Sequence, residues 1–219
     1  LLEREGAVLL MYGREPEKTA FVNTLQYSIW SLINMIRNNG WQIEATEKSI
    51  EGDFNGKRIK AKADLVLKND KGEFTILDLK WRGAARRQRM IKSKEDLQLV
   101  MYSTLLTKDE RIAQTAFFII QDAKMIARNN LGFKEAIAVM PDEDHVEINQ
   151  RIWKRMQYTY QWRMEQLRAG SIEIRTEDTV ADLIEPGEGL SVSELTNFLA
   201  MNNNHASFDD YQTLINAIE

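Results

Sequence analysis

Asp64, Asp78 and Lys80 are the residues of this chain whose types and spacing could do chemistry. They lie in Ala63-Asp64-Leu65-Val66-Leu67, a turn at Asn69-Asp70-Lys71-Gly72, and Phe74-Thr75-Ile76-Leu77-Asp78-Leu79-Lys80, which together read as a β-hairpin. Alternate residues of a strand share a face, so Asp78 and Lys80 should point the same way. An acid and a base side by side at the end of an apolar strand are costly to bury unless they bind something. A hard metal ion meets that condition, with Asp64 on the partner strand as the second carboxylate. Lys80 is then left to orient or activate a water. An isolated Asp-x-Lys on a strand is usually a surface pair worth little. Here the neighbouring elements decide between the two readings.

Those elements follow from hydrophobic spacing. Residues 19–38 read as an amphipathic helix, with Phe21, Leu25, Ile29, Leu32, Ile33 and Ile36 at helical intervals and Asn38-Asn39-Gly40 as its end. Residues 41–50 look extended, with Trp41, Ile43 and Ala45 on one face and Glu44 and Thr46 on the other. Phe54-Asn55-Gly56-Lys57 is a turn and residues 58–67 a second strand, so with the hairpin the chain forms an antiparallel meander. Residues 83–89 are polar, a mobile loop or the start of a helix. Ser93-Lys94-Glu95-Asp96 should cap a helix running to Thr107. The continuous apolar run 116–121 is a buried strand, and residues 144–169 a long helix stopped at Gly170. Its stripe of Trp153, Met156, Tyr160 and Met164 is core packing at helical spacing. His145 and His205 are expected at the surface. Beyond Ser171 the chain turns acidic, Glu185-Pro186-Gly187 is a joint, and residues 191–219 should form short helices. This divides the chain into a domain over residues 1–175 and an acidic C-terminal extension over 176–219.

At 219 residues and 43% hydrophobic composition, the chain can bury one substantial core. The formal net charge of -4 does not by itself advertise nucleic-acid binding, but the charge is unevenly spread. Lys80, Arg82, Arg86, Arg87, Arg89, Lys92 and Lys94 form a basic run with no acid among them. With no cysteine, the chain can hold no disulfide, zinc knuckle or iron–sulfur cluster, which fits a cytoplasmic setting. No apolar run is long enough to span a bilayer, so no membrane partner is expected. A start at Leu1 without methionine suits a fragment of a longer protein or a trimmed chain.

The order Glu47, Asp64, Asp78-Leu79-Lys80, then Gln98 with Tyr102 resembles the PD-(D/E)XK nuclease superfamily, and within it the RecB-type nuclease domains of helicase–nuclease complexes. Asp78-Leu79-Lys80 matches the acid-x-Lys signature, Ala61-Lys62-Ala63-Asp64 stands where the family has Gly-x-x-Asp, and Gln98 to Tyr102 matches its helical Gln-x-x-x-Tyr element. The resemblance covers roughly residues 19–170. It implies an α/β fold, a central mixed β-sheet flanked by helices in a restriction-endonuclease-like core. By the same resemblance Asp64, Asp78 and the Leu79 carbonyl would ligate Mg²⁺ or Mn²⁺, and Lys80 would position the attacking water. Glu47 would support the site through a water on the metal or through Lys80, and Gln98 and Tyr102 would line it. The first helix departs from RecB-type domains in carrying no histidine; its polar candidates to approach the site are Asn23 and Gln26.

Alternatives stand beside several of these roles. Strand register could favour Glu44 over Glu47. Tyr102 could be a core aromatic with its hydroxyl satisfied. The basic run, including Arg82, Arg86, Arg87 and Arg89, is either a solvated loop or the place where a phosphate backbone arrives. Trp81 either stacks on an unpaired base or covers the hairpin edge. The expected function is Mg²⁺-dependent hydrolysis of DNA, single-stranded or at duplex ends, as an exonuclease module of a repair or recombination machine, with a helicase fused or in complex. Nothing resembles a base-reading helix, so sequence specificity is not expected here. The alternatives are a catalytically inactive nuclease-fold domain serving as a DNA-binding or scaffold module, and an interaction module acting through the acidic tail.

Overall fold

A computed structural model describes residues 7–107 and 112–170. By its contacts the chain divides into two compact units, Leu1–Trp153 and Lys154–Glu219. The expected boundary at 175/176, the acidic extension, its joint, its short helices and His205 lie outside the described residues.

After a short 3₁₀ turn at Ala7–Leu10, helix α1 spans Glu15–Asn38. Strands β1 (Trp41–Phe54), β2 (Lys57–Asn69) and β3 (Phe74–Lys80) form the antiparallel meander. Helices α2 (Ala84–Lys92) and α3 (Leu97–Leu106) make the crossover to β4 (Gln114–Ile119), which pairs parallel to β3. Strands β5 (Lys124–Ala127) and β6 (Ile137–Ala138) complete a six-stranded mixed sheet in the order β1-β2-β3-β4-β5-β6. Helix α4 spans His145–Arg168. A parallel pair needs a covering crossover, and this one places α2 and α3 on a sheet face.

The two faces of the sheet bury different helices. Leu32 and Ile36 of α1 pack with Leu65, Leu67, Leu77 and Phe118. Ile91 of α2 and Leu99 of α3 pack with Phe117, Ile119 and Ile126, while Tyr102 and Leu105 of α3 lie on Ile50, Val66 and Ile76. The alternation of Leu65, Leu67 and Leu77 against Val66 and Ile76 puts helices on both faces, the α/β architecture expected. Gly52 permits part of this closeness, since a Cβ there would stand 2.6 Å from Leu105 Cδ2.

Several local expectations change. Strand β1 does not alternate cleanly, because Ile43 pairs with Leu67 while Ala45 pairs with Val66, leaving Glu44 as a bulge. Ala45 therefore lies on the other face from Trp41 and Ile43, and Ile43 itself is 53% exposed. Of the two readings of residues 83–89, the helix is the one found, over Ala84–Lys92. Ser93 ends α2, donating from Oγ to Arg89 O at 2.8 Å, and does not cap α3. The N-cap of α3 is Asp96, whose side chain makes no cap bond. His145 is half-buried rather than at the surface, its Nε2 2.9 Å from Gln114 Nε2, and burial lowers its pKa. Strands β5 and β6 are too short to carry a periodicity of their own.

Candidate active site

The acidic pair is set where β2 and β3 part. Their ladder runs from Lys68↔Phe74 to Leu65↔Leu77 and is not continued. One step further in the same register, Asp64 faces Asp78. Instead of a strand carbonyl, the Asp64 carboxylate receives the next N–H of β3, with Leu79 N donating to Asp64 Oδ2 at 2.7 Å. The side chain substitutes for the ladder, which satisfies the backbone and pins Asp64 against β3.

Asp78 is 1% exposed, held between β2 and β4, where it pairs with Phe117. Lys80, two residues on and on the same face, places Nζ 2.6 Å from Asp78 Oδ2. Among the described residues this ion pair is the contact that the buried Asp78 Oδ2 makes. Burial raises the Asp78 carboxyl above its ordinary range; Lys80 opposes the shift, the Asp64 charge adds to it, and Arg87 opposes it. A buried anionic oxygen whose one partner is an ammonium group suits a cation, and so does the donor set of carboxylates with a neighbouring peptide carbonyl at Leu79. Among the described residues, no three of His, Cys, Asp and Glu come together as a metal-binding group. Two carboxylates suffice for Mg²⁺, which keeps several waters.

The other candidate residues are placed as follows. Glu47 stands level with Asp64, between the pairs Thr46↔Leu65 and Lys48↔Ala63, in a left-handed backbone conformation. Its exposed carboxylate forms an ion pair with Lys62. Glu44 is exposed on the bulge, and Glu51 pairs with Arg58 and Lys60. Gln98 and Tyr102 lie one turn apart on α3, with Gln98 Nε2 donating to Tyr102 Oη at 2.6 Å. Tyr102 is buried against Ala63, Val66 and Ile76, the residues flanking the two aspartates, and no hydrogen bond joins it to either. Asn23 and Gln26 are exposed on α1. Trp81 packs against Phe21 of α1 at 5.3 Å between ring centroids and keeps 41% of its surface exposed. Arg82, Arg86 and Arg89 are exposed, whereas Arg87 is half-buried.

Sequence reasoning missed one buried pair behind the site. Arg128, which follows β5, donates from Nη2 to Asp96 Oδ1 at 2.6 Å and to Oδ2 at 2.5 Å, with Asp96 fully buried. Burial raises the Asp96 carboxyl and Arg128 pulls it back. Asp96 reads in sequence as an ordinary helix cap, and nothing near Arg128 announces a partner 32 residues away.

No helix among the described residues is long and apolar enough to cross a membrane. No curated protein matches the chain. The profile of the PD-(D/E)XK nuclease superfamily matches residues 17–180, a span holding the whole sheet, both aspartates and Lys80. With three-quarters of its length matched and the acid-x-Lys strand set in a mixed sheet between helices, the chain belongs to the PD-(D/E)XK nuclease superfamily, whose members are generally metal-dependent nucleases.

Proposed function

We propose that this protein is a Mg²⁺-dependent deoxyribonuclease with its site at Asp64, Asp78 and Lys80, of the RecB type and acting as an exonuclease module in DNA repair or recombination. The observation that carries the reading is the buried Asp78 carboxylate beside Asp64, ion-paired with Lys80 Nζ at 2.6 Å. Asp64, Asp78 and the Leu79 carbonyl would hold the ion. When bound, a divalent cation neutralises charge on the phosphate and acidifies water. Lys80 orients the attacking water and meets the charge that grows on the phosphate. The water oxygen bonds to phosphorus, the bond from phosphorus to the leaving sugar oxygen breaks, and that oxygen leaves with a proton. Gln98 and Tyr102 hold the α3 wall beside the aspartates. Glu47, level with Asp64, would reach a water at the site by releasing Lys62.

Cleavage of linear single-stranded and duplex DNA, with Mg²⁺ or Mn²⁺, tests this. Wild-type activity should vanish in Lys80→Ala, which leaves both carboxylates in place. Metal-dependent activity equal in both proteins would remove Lys80 from the chemistry. Wild-type protein that binds metal yet never cuts would favour the scaffold reading, for which the first helix, without a histidine, is the motivating observation.

A further inference from the structure

Of the basic run that follows β3, one member differs from the rest. Arg87, on α2, lays its guanidinium over the Phe117 ring, 5.2 Å from the centroid. Phe117 is the β4 residue paired with Asp78, so the stacking holds a cation beside the acidic strand. Among the described residues no carboxylate forms an ion pair with Arg87. Among the described residues its side chain makes one hydrogen bond, from Nη1 to Met90 Sδ at 3.1 Å, a weak acceptor, and its Nε is buried with no partner. Arg82, Arg86 and Arg89 are exposed, where a cation is solvated at no cost. Arg87 gives up part of its hydration, and the Asp78 charge attracts it only from beyond ion-pair distance. Burial lowers its pKa, and its charge is felt at Asp78. A packed guanidinium with donors to spare is pre-organised for the planar, two-oxygen recognition of a phosphate.

We infer that Arg87 is a catalytic residue whose guanidinium binds the non-bridging oxygens of the scissile phosphate beside Asp64 and Asp78, with the Phe117 ring holding it ready. The inference rests on the nuclease reading and deepens it. It separates one arginine that meets the reacting phosphate from neighbours that can only meet the backbone further along.

The test compares wild type, Arg87→Gln, Arg87→Lys and Lys80→Ala, each for DNA cleavage, Mn²⁺ affinity and Tm. Removing one donor aimed at developing charge lowers kcat by about 100-fold or more. Arg87→Gln is expected to show that loss with Mn²⁺ affinity and Tm unchanged, and Arg87→Lys to regain part of it through its charge. A purely structural role would move Tm or Mn²⁺ affinity and leave no benefit from lysine; that result overturns the inference, as does Arg87→Gln cleaving within threefold of wild type. Should Arg87→Gln not fold, Arg87→Lys decides alone: folded, metal-binding and at least tenfold slower supports the inference, and unchanged kcat overturns it. Wild type no more active than Lys80→Ala fails the nuclease reading itself, a result distinct from any produced by the arginine variants.

Discussion

At the scale of single residues, Asp78 carries opposed demands. Burial makes its charged form costly despite the Lys80 ion pair, yet a cation can be held only by the charged form. Burial raises its pKa, so the folded state binds this proton more tightly than the unfolded chain. Its contribution to metal-free stability is therefore present at low pH and lost as pH rises through the folded pKa. Metal affinity runs the other way and should fall, on acidification, at a pH above that of an ordinary aspartate, about 3.9. Urea unfolding in chelator should find Asp78→Asn more stable than wild type at neutral pH, with the gap closing toward acid. A gap that widens toward acid would contradict the burial argument. Calorimetric Mg²⁺ titrations across pH give the second half of the same prediction.

At the scale of elements, the site depends on where α3 lies. The helix begins at Asp96, and Arg128 beyond β5 grips that carboxylate with two short hydrogen bonds. The grip ties the start of α3 to the chain just beyond β5, while Leu105 closes on Gly52 at the other end. Between these points Gln98 and Tyr102 are carried over β2 and β3. Breaking a buried ion pair from one side leaves the other charge uncompensated, at a cost of about 3–5 kcal/mol. Asp96→Ala should lose that much in chemical denaturation. The double variant Asp96→Leu/Arg128→Met should recover most of it, because neither charge is then buried alone. Equal losses in the single and double variants would show that packing volume, not charge, is what the pair supplies.

At the scale of the whole molecule, the sheet sets two carboxylates and a lysine at one strand end, and α2 lays Arg87 over Phe117 of the neighbouring strand. Binding to the native state alone should then stabilise the fold by mass action, by about 2.7 kcal/mol at a free Mg²⁺ concentration one hundred times Kd. Thermal unfolding of wild type should shift upward with Mg²⁺ or Mn²⁺, and Asp64→Asn should abolish the shift. An equal shift in Asp64→Asn would mean that the ion binds elsewhere. The mixed sheet itself supplies the rigidity: β3 is hydrogen-bonded on both sides, antiparallel to β2 and parallel to β4.

The sequence by itself determined the parts of this protein that arise from local rules. Alternation in β3 set Asp78 and Lys80 on one face, the Asn69–Gly72 turn brought β2 back antiparallel, and the four-residue spacing of Gln98 and Tyr102 put them in hydrogen-bonding reach. The long helices were legible for the same reason: a 3.6-residue period sustained over several turns is not produced by other structures. What tertiary structure alone decided involves contacts distant along the chain. The bulge at Glu44 set Ala45 opposite Val66 and off the face it was expected to share with Ile43, a change of one residue that no period announces. Lys62 claimed Glu47, Arg128 claimed Asp96, and Phe117 took the face of Arg87 rather than of any other arginine in a uniform basic run. Composition identifies such side chains as charged, whereas the partner of each charge depends on which strands lie side by side, and that is settled only when the sheet closes.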